Sequence, residues 1–410
     1  MQPRSFSLLK VFLALVAFAL TAALNLSAQP SEKVIYTFTG GSDGSSPQYG
    51  LVSDGKGNLF GTAGNGGMNV NCTGCGTVFE LSPGANGTWT FKVIYSFTSV
   101  NGDGSGPDGG LVFDGQGNLY GTTIIGGSSY QGTVYELSPK PNGTWSEKVI
   151  YSFTGGVGGS FPYSTTLILD AAGNLYGTTE NGGAYGFGLA FELVKGSNGT
   201  WTENVLHSFA DKNDGGYPYA SPLLFDTAGN LYGSSPSAGA HDYGNVFQLA
   251  RGTGGTWAEK PIYAFTGAAG SSGPIGGLLF DSAGNIYGVS SFNVFELTPG
   301  SDGSWSEKSL YTFAGNPDGA APEAGLIFDN AGNLYGTTTD GGVHRGTVFE
   351  LTPGTNGAWT ERVLHRFQAN GTDGIFPGPA RLVRDSGGNL YGTTSSGGAN
   401  NEGVIYEVTP

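Results

Sequence analysis

Residues 110–155 read GLVFDGQGNLYGTTIIGGSSYQGTVYELSPKPNGTWSEKVIYSFTG. Four short runs of β-branched and aromatic residues are separated by Gly, Asn and Pro, the pattern of four antiparallel strands. The first turn places Asp114 four residues before Asn118, where its carboxylate can accept local N–H bonds while Gly117 supplies positive φ. The last turn carries Asn142-Gly143, a strong hairpin signal that returns at Asn86-Gly87, Asn198-Gly199 and Asn356-Gly357. The motif D-x-x-G-N-(L/I)-(Y/F)-G occurs seven times, with its Asn at 58, 118, 174, 230, 285, 333 and 389, at spacings of 60, 56, 56, 55, 48 and 56. A period of about 55 residues with four strands suits a propeller blade, not a solenoid coil or a helical repeat.

The ends of the chain agree with a ring. A lone strand of the fourth type, Lys33 to Thr39, opens the repeats, and a strand of the third type, Gly403 to Val408, closes them. Joining the two completes a seventh blade and covers a sheet edge that would otherwise stay open. The predicted fold is therefore all-β, a seven-bladed β-propeller with four-stranded blades, forming one domain over residues 33–410.

Composition narrows the class further. Gly and Pro, 75 and 20 of 410 residues, make up about 23% of the chain, yet 38% is hydrophobic, enough to build a core. A net charge of −15 argues against a nucleic-acid partner. Residues 1–28 read as an export signal: Arg4 and Lys10 precede the apolar run from Val11 to Leu24, and small residues end at Ala28. That run is too short to span a bilayer. Residues 29–32 are a short linker, and the mature protein is expected to be secreted, extracellular or periplasmic, monomeric and without a membrane segment.

The blocks G-N-L-Y-G-T, G-T-V-F-E-L and V-I-Y-S-F-T resemble the GloVer tandem repeat of exported bacterial proteins, over essentially all of residues 33–410. The resemblance implies export and a repeat scaffold, and brings no reaction or catalytic residue with it.

Most polar residues repeat with the scaffold. The third-strand glutamates Glu80, Glu136, Glu192, Glu296, Glu350 and Glu407 occupy equivalent places, which is the opposite of the contrasting environments an acid/base pair needs. His207 and His365 stand where other repeats have Tyr, and His241 and His344 are single residues in loops, so no metal spacing is evident. Five loops share D-G-x-x-P, from Asp43, Asp103, Asp214, Asp318 and Asp373; these read as turn caps, and Ca²⁺ binding has no specific motif behind it. No cofactor is expected. Cys72 and Cys75 are expected to form a local disulfide.

The informative residues break the repeat. On the innermost strand Arg381 aligns with Gly50, Gly110, Gly277 and Gly325, and Arg384 aligns with Phe113, Phe225, Phe280 and Phe328. They read either as a seam lock with nearby acids or as a site for an anionic group. On one rim, Phe161, Tyr163, Tyr185, Phe187, Tyr217, Tyr219 and Tyr243 gather in the loops of the third and fourth repeats, either packing together or offering platforms for sugar faces. The fifth repeat has a shortened loop beside them, which predicts a notch in that rim. The expected function is non-catalytic binding of an extracellular ligand such as a glycan. The alternatives are a propeller enzyme acting on a polysaccharide or lactone through the central channel, and a structural surface protein.

Overall fold

The computed structural model describes residues 29–69, 72–268 and 273–410; residues 1–28, read above as an export signal, lie outside them. Seven four-stranded antiparallel blades form the ring. In blade 2 the strands, from the axis outward, are Val112–Phe113, Leu119–Thr123, Thr133–Pro139 and Trp145–Ser152. Blade 7 takes Val383–Arg384, Leu390–Gly397 and Val404–Thr409 from the C-terminal end, and its outer strand is Ser31–Thr37. The closing register runs from Ser31 opposite Thr409 to Thr37 opposite Val404. An extra strand not foreseen in the sequence, Gly374–Pro377, also pairs with Leu390–Gly397.

The core lies between blades. Each blade sends an aromatic from its second strand, a Val or equivalent from its third and an aliphatic from its outer strand into the leucines of the next blade, as Phe60, Val78 and Ile94 meet Leu111, Leu119 and Leu137. The same set recurs at each junction, and the cluster between blades 7 and 1 joins Phe38, Tyr391 and Ile405 to Leu59, Phe79 and Leu81. A bulge in the outer strand makes this possible. Val149 and Tyr151 face consecutive residues of the third strand, and Ile150 between them is buried. Trp145 packs edge-on against Phe60, as Trp201 does against Tyr120 and Trp89 against Tyr391. Each such pair contributes about 0.5–1.5 kcal/mol beyond burial.

The turns between first and second strands define one rim. Asp114 Oδ1 accepts the backbone N–H groups of Gln116 and Asn118 at 2.8 and 2.9 Å, and Oδ2 accepts from the Asn118 amide and the Tyr120 hydroxyl. Gly117 sits at φ 88°, where a Cβ would strain. Asp54, Asp170, Asp226, Asp281, Asp329 and Asp385 cap the equivalent turns. The opposite rim carries the loops entering each inner strand and those joining second to third strands. Blade 5 is cut low there, since only residues 290–292 join Ile286–Val289 to Asn293–Pro299.

Candidate functional site

The inner strands surround a cavity of about 230 Å³ on the ring axis, lined by all seven blades. Arg381 enters it from blade 7 and runs along the wall past blade 6 to blade 5, where its Nη2 donates to the Leu278 carbonyl. This path explains the glycines of blades 5 and 6. A Cβ on Gly277 or Gly325 would come within 2.9 or 2.6 Å of the Arg381 side chain. Burial lowers the guanidinium to about 10, so it stays charged at neutral pH. Its Nε is buried without a partner, and among the described residues no carboxylate pairs with it.

Above this cation the channel opens through a collar of residues that differ from blade to blade. Each loop entering an inner strand has a proline, and the next residue is Gln48, Asp108, Tyr163, Tyr219, Ile275, Glu323 or Gly378. Tyr49, Ser164, Ala220 and Pro379, one position further on, line the cavity. Gln48 Nε2 donates to the Tyr49 hydroxyl at 2.8 Å, and the Tyr49 ring meets Tyr163 edge-on at 6.4 Å. The Tyr49 hydroxyl is pushed well above its ordinary value by burial, then by the charge of Asp108. The Tyr219 hydroxyl is raised by burial and then by Glu180 and Glu323. Burial in turn pushes the Asp108 carboxyl up to about 6 and raises Glu180 and Glu323. Three acids, three tyrosines and one buried cation therefore occupy one end of the channel. Together they can accept hydroxyl protons, stack on an apolar face and present one cationic donor within the channel.

The rim aromatics divide between exposed and packed. Tyr185 is 64% exposed, Tyr243 46% and Tyr163 36%. Phe187 and Tyr217 pack edge-on at 5.4 Å, and the Tyr217 N–H donates to the Phe187 carbonyl at 2.7 Å. Tyr219 is half-buried at the channel mouth. Phe161 holds its loop in the left-handed region at φ 52°. The two arginines part company: Arg384 is exposed and borders a cleft with Lys56, Trp89 and Tyr391 at the capped-turn rim. Cys72 and Cys75 are disulfide-bonded with Cα atoms 5.9 Å apart, and both pack on the cluster between blades 1 and 2.

The collar residues Tyr49, Asp108, Glu180 and Glu323 escaped the sequence reading. The signal for Asp108 and Glu323 was there, as the variable position after each loop proline, but it only matters once seven loops are known to converge. The third-strand glutamates have structural partners, as in Tyr176 to Glu192 and Tyr335 to Glu350. His207 and His365 stand edge-on to Phe209 and Phe367, as Tyr95 does to Phe97.

Similar folds occur in solved structures. Virginiamycin B lyase from Staphylococcus aureus matches with 13% identity and a TM-score of 0.54, covering 93% of this chain and 99% of that one. The extracellular domain assigned to a hybrid two-component system of B. thetaiotaomicron matches with 13% identity and a TM-score of 0.56, covering 93% of this chain and 42% of that one. Identities this low carry the fold alone. Among curated proteins none matches this sequence. The Gloeobacter/Verrucomicrobia repeat matches residues 23–169, 141–294 and 291–410, and the chain belongs to that repeat family.

Proposed function

We propose that this is an exported propeller that binds an extracellular glycan at the mouth of its central channel, without chemical conversion of the ligand. Export rests on the basic and apolar N-terminal segment ending at Ala28. The binding reading rests on one observation: the residue after each loop proline departs from the repeat, and Asp108, Tyr163, Tyr219 and Glu323 form one connected set with the channel-lining Tyr49. Tyr163 and Tyr219 offer apolar faces with a polar edge, and Asp108, Glu180 and Glu323 offer acceptors for ligand hydroxyls. The low loop of blade 5 leaves a side entrance for an extended chain.

A glycan-binding screen followed by calorimetry tests this. Replacing Tyr163 and Tyr219 by Ala is expected to weaken binding roughly thirtyfold, at about 1 kcal/mol per aromatic contact, with the melting transition little changed. Binding by the double variant equal to the parent's would remove the proposal.

A second reading, an enzyme acting at the same mouth, is favoured by the Asp108 carboxyl, pushed up to about 6 by burial at a position where only Glu323 of the other repeats is also acidic. It predicts a ligand consumed by the parent and merely bound by an Asp108→Asn variant, as followed by product analysis.

A further inference from the structure

Four blade junctions carry a polar set at their outer side: an aromatic from one outer strand, an Asp from the loop that follows, and a Glu from the next outer strand. Between blades 1 and 2 the Tyr95 hydroxyl lies 3.0 Å from Asp103 Oδ2 and 3.4 Å from Glu147 Oε2, so one phenol bridges two carboxylates. Between blades 6 and 7 the aromatic is His365, the Asp is Asp373 and the Glu is Glu32 of the closing strand. The shorter imidazole reaches only the Asp, with Nε2 3.0 Å from Asp373 Oδ2. Asp373 Oδ1 and Glu32 Oε1 are both buried with no hydrogen-bond partner. The Asp373 side chain is only 7% exposed, so an unpartnered carboxylate oxygen there is costly.

We propose that Glu32, His365 and Asp373 form a site for a divalent transition-metal cation of the zinc type. One donor atom from each lies within 4.8 Å of the others. Zinc holds N and O ligands at about 2.0–2.2 Å, which sets neighbouring donors roughly 3.4 Å apart, so small side-chain rotations close the set. One imidazole and two carboxylates are the mixed donors that such an ion takes, and the cation does what the Tyr95 hydroxyl does between blades 1 and 2, joining the two carboxylates. A cleft lined by Lys33, Gln368, Asn370 and Thr372 leads to the three residues and leaves room for a water ligand.

The related junction between blades 3 and 4, with His207, Asp214 and Glu259, is a weaker candidate. His207 and Asp214 are 22% and 18% exposed, against 17% and 7% for His365 and Asp373. Because Glu32 belongs to the closing strand, an ion at the proposed site ties that strand to blade 6 and rivets the ring.

Metal-stripped full-length chain titrated with Co²⁺, read by its visible absorption, and with Zn²⁺, read by calorimetry and melting, tests the assignment. The expected result is one ion per chain at the site and a higher melting temperature with Zn²⁺. His365→Tyr restores the residue most other junctions use, so it should fold; it is expected to bind roughly a hundredfold more weakly and lose the melting shift, whereas His207→Tyr keeps both. Parent protein that takes up no ion at about 100-fold excess, or a His365→Tyr variant that binds as the parent does, overturns the proposal. So does loss of binding in His207→Tyr alone.

Discussion

The two rims of the ring are built from the same repeats and behave oppositely. On one, an Asp four residues before an Asn closes the first turn of every blade with the same bonds. On the other, the residue after the loop proline is Gln, Asp, Tyr, Tyr, Ile, Glu and Gly in turn. The difference separates scaffold from site. A bond that must form seven times tolerates one solution, while a collar that touches a ligand or solvent gains from unlike residues at like positions.

The contrast exists only in a closed ring, so the largest effect should come from breaking closure. Removing residues 31–37 leaves Val404–Thr409 as a bare edge and strips the junction beside blade 6 of Glu32. Size-exclusion chromatography and circular dichroism are expected to find no soluble folded monomer; a folded truncated monomer would mean the ring does not depend on this strand.

A smaller effect sharpens the contrast directly. Asp114→Ala removes the acceptor for two backbone and two side-chain donors and should cost about 1–2 kcal/mol in denaturant unfolding. Glu323→Gln, on the collar, should leave stability within about 0.5 kcal/mol of the parent. Equal losses in the two variants would erase the distinction between rims.

The smallest effect is one of pH. Burial works against the Asp114 and Asp170 carboxylates, but hydrogen bonds from Asn118 and Asn174 outweigh it and hold both low. Their stabilisation is present above about 3.8 and lost as pH falls below it. Between blades the sign reverses: burial pushes Glu147 and Glu203 up to about 7 and Glu259 to about 8. Stability from their protonated forms is complete below about 4.5 and lost as pH rises through 7 to 8. Unfolding measured at about pH 5 and pH 8 should therefore find the parent weaker at the higher value, and Glu147→Gln with Glu203→Gln should flatten the decline. A decline of undiminished size in the double variant would assign it to other groups.

Blade count, turn caps and the split seventh blade were legible in the sequence because each depends on residues a few positions apart or on a count of repeats. Asp114 and Asn118 meet through local geometry alone, and any chain with that spacing makes the same turn. The channel end was not legible. Arg381 and Gly325 were visible as irregular and regular members of one alignment column, yet that the arginine would reach the Leu278 carbonyl, 103 residues away, follows from how closely blades 5 and 7 approach around the axis of the closed ring. The same holds for Tyr49 beside Asp108 and Tyr163, and for Glu32 beside His365 and Asp373. The repeat spells out each blade and its turns, since those bonds are made within one unit of sequence. Only the tertiary structure decides which exceptions share a site, because closing seven twisted sheets on one axis sets the distances between them.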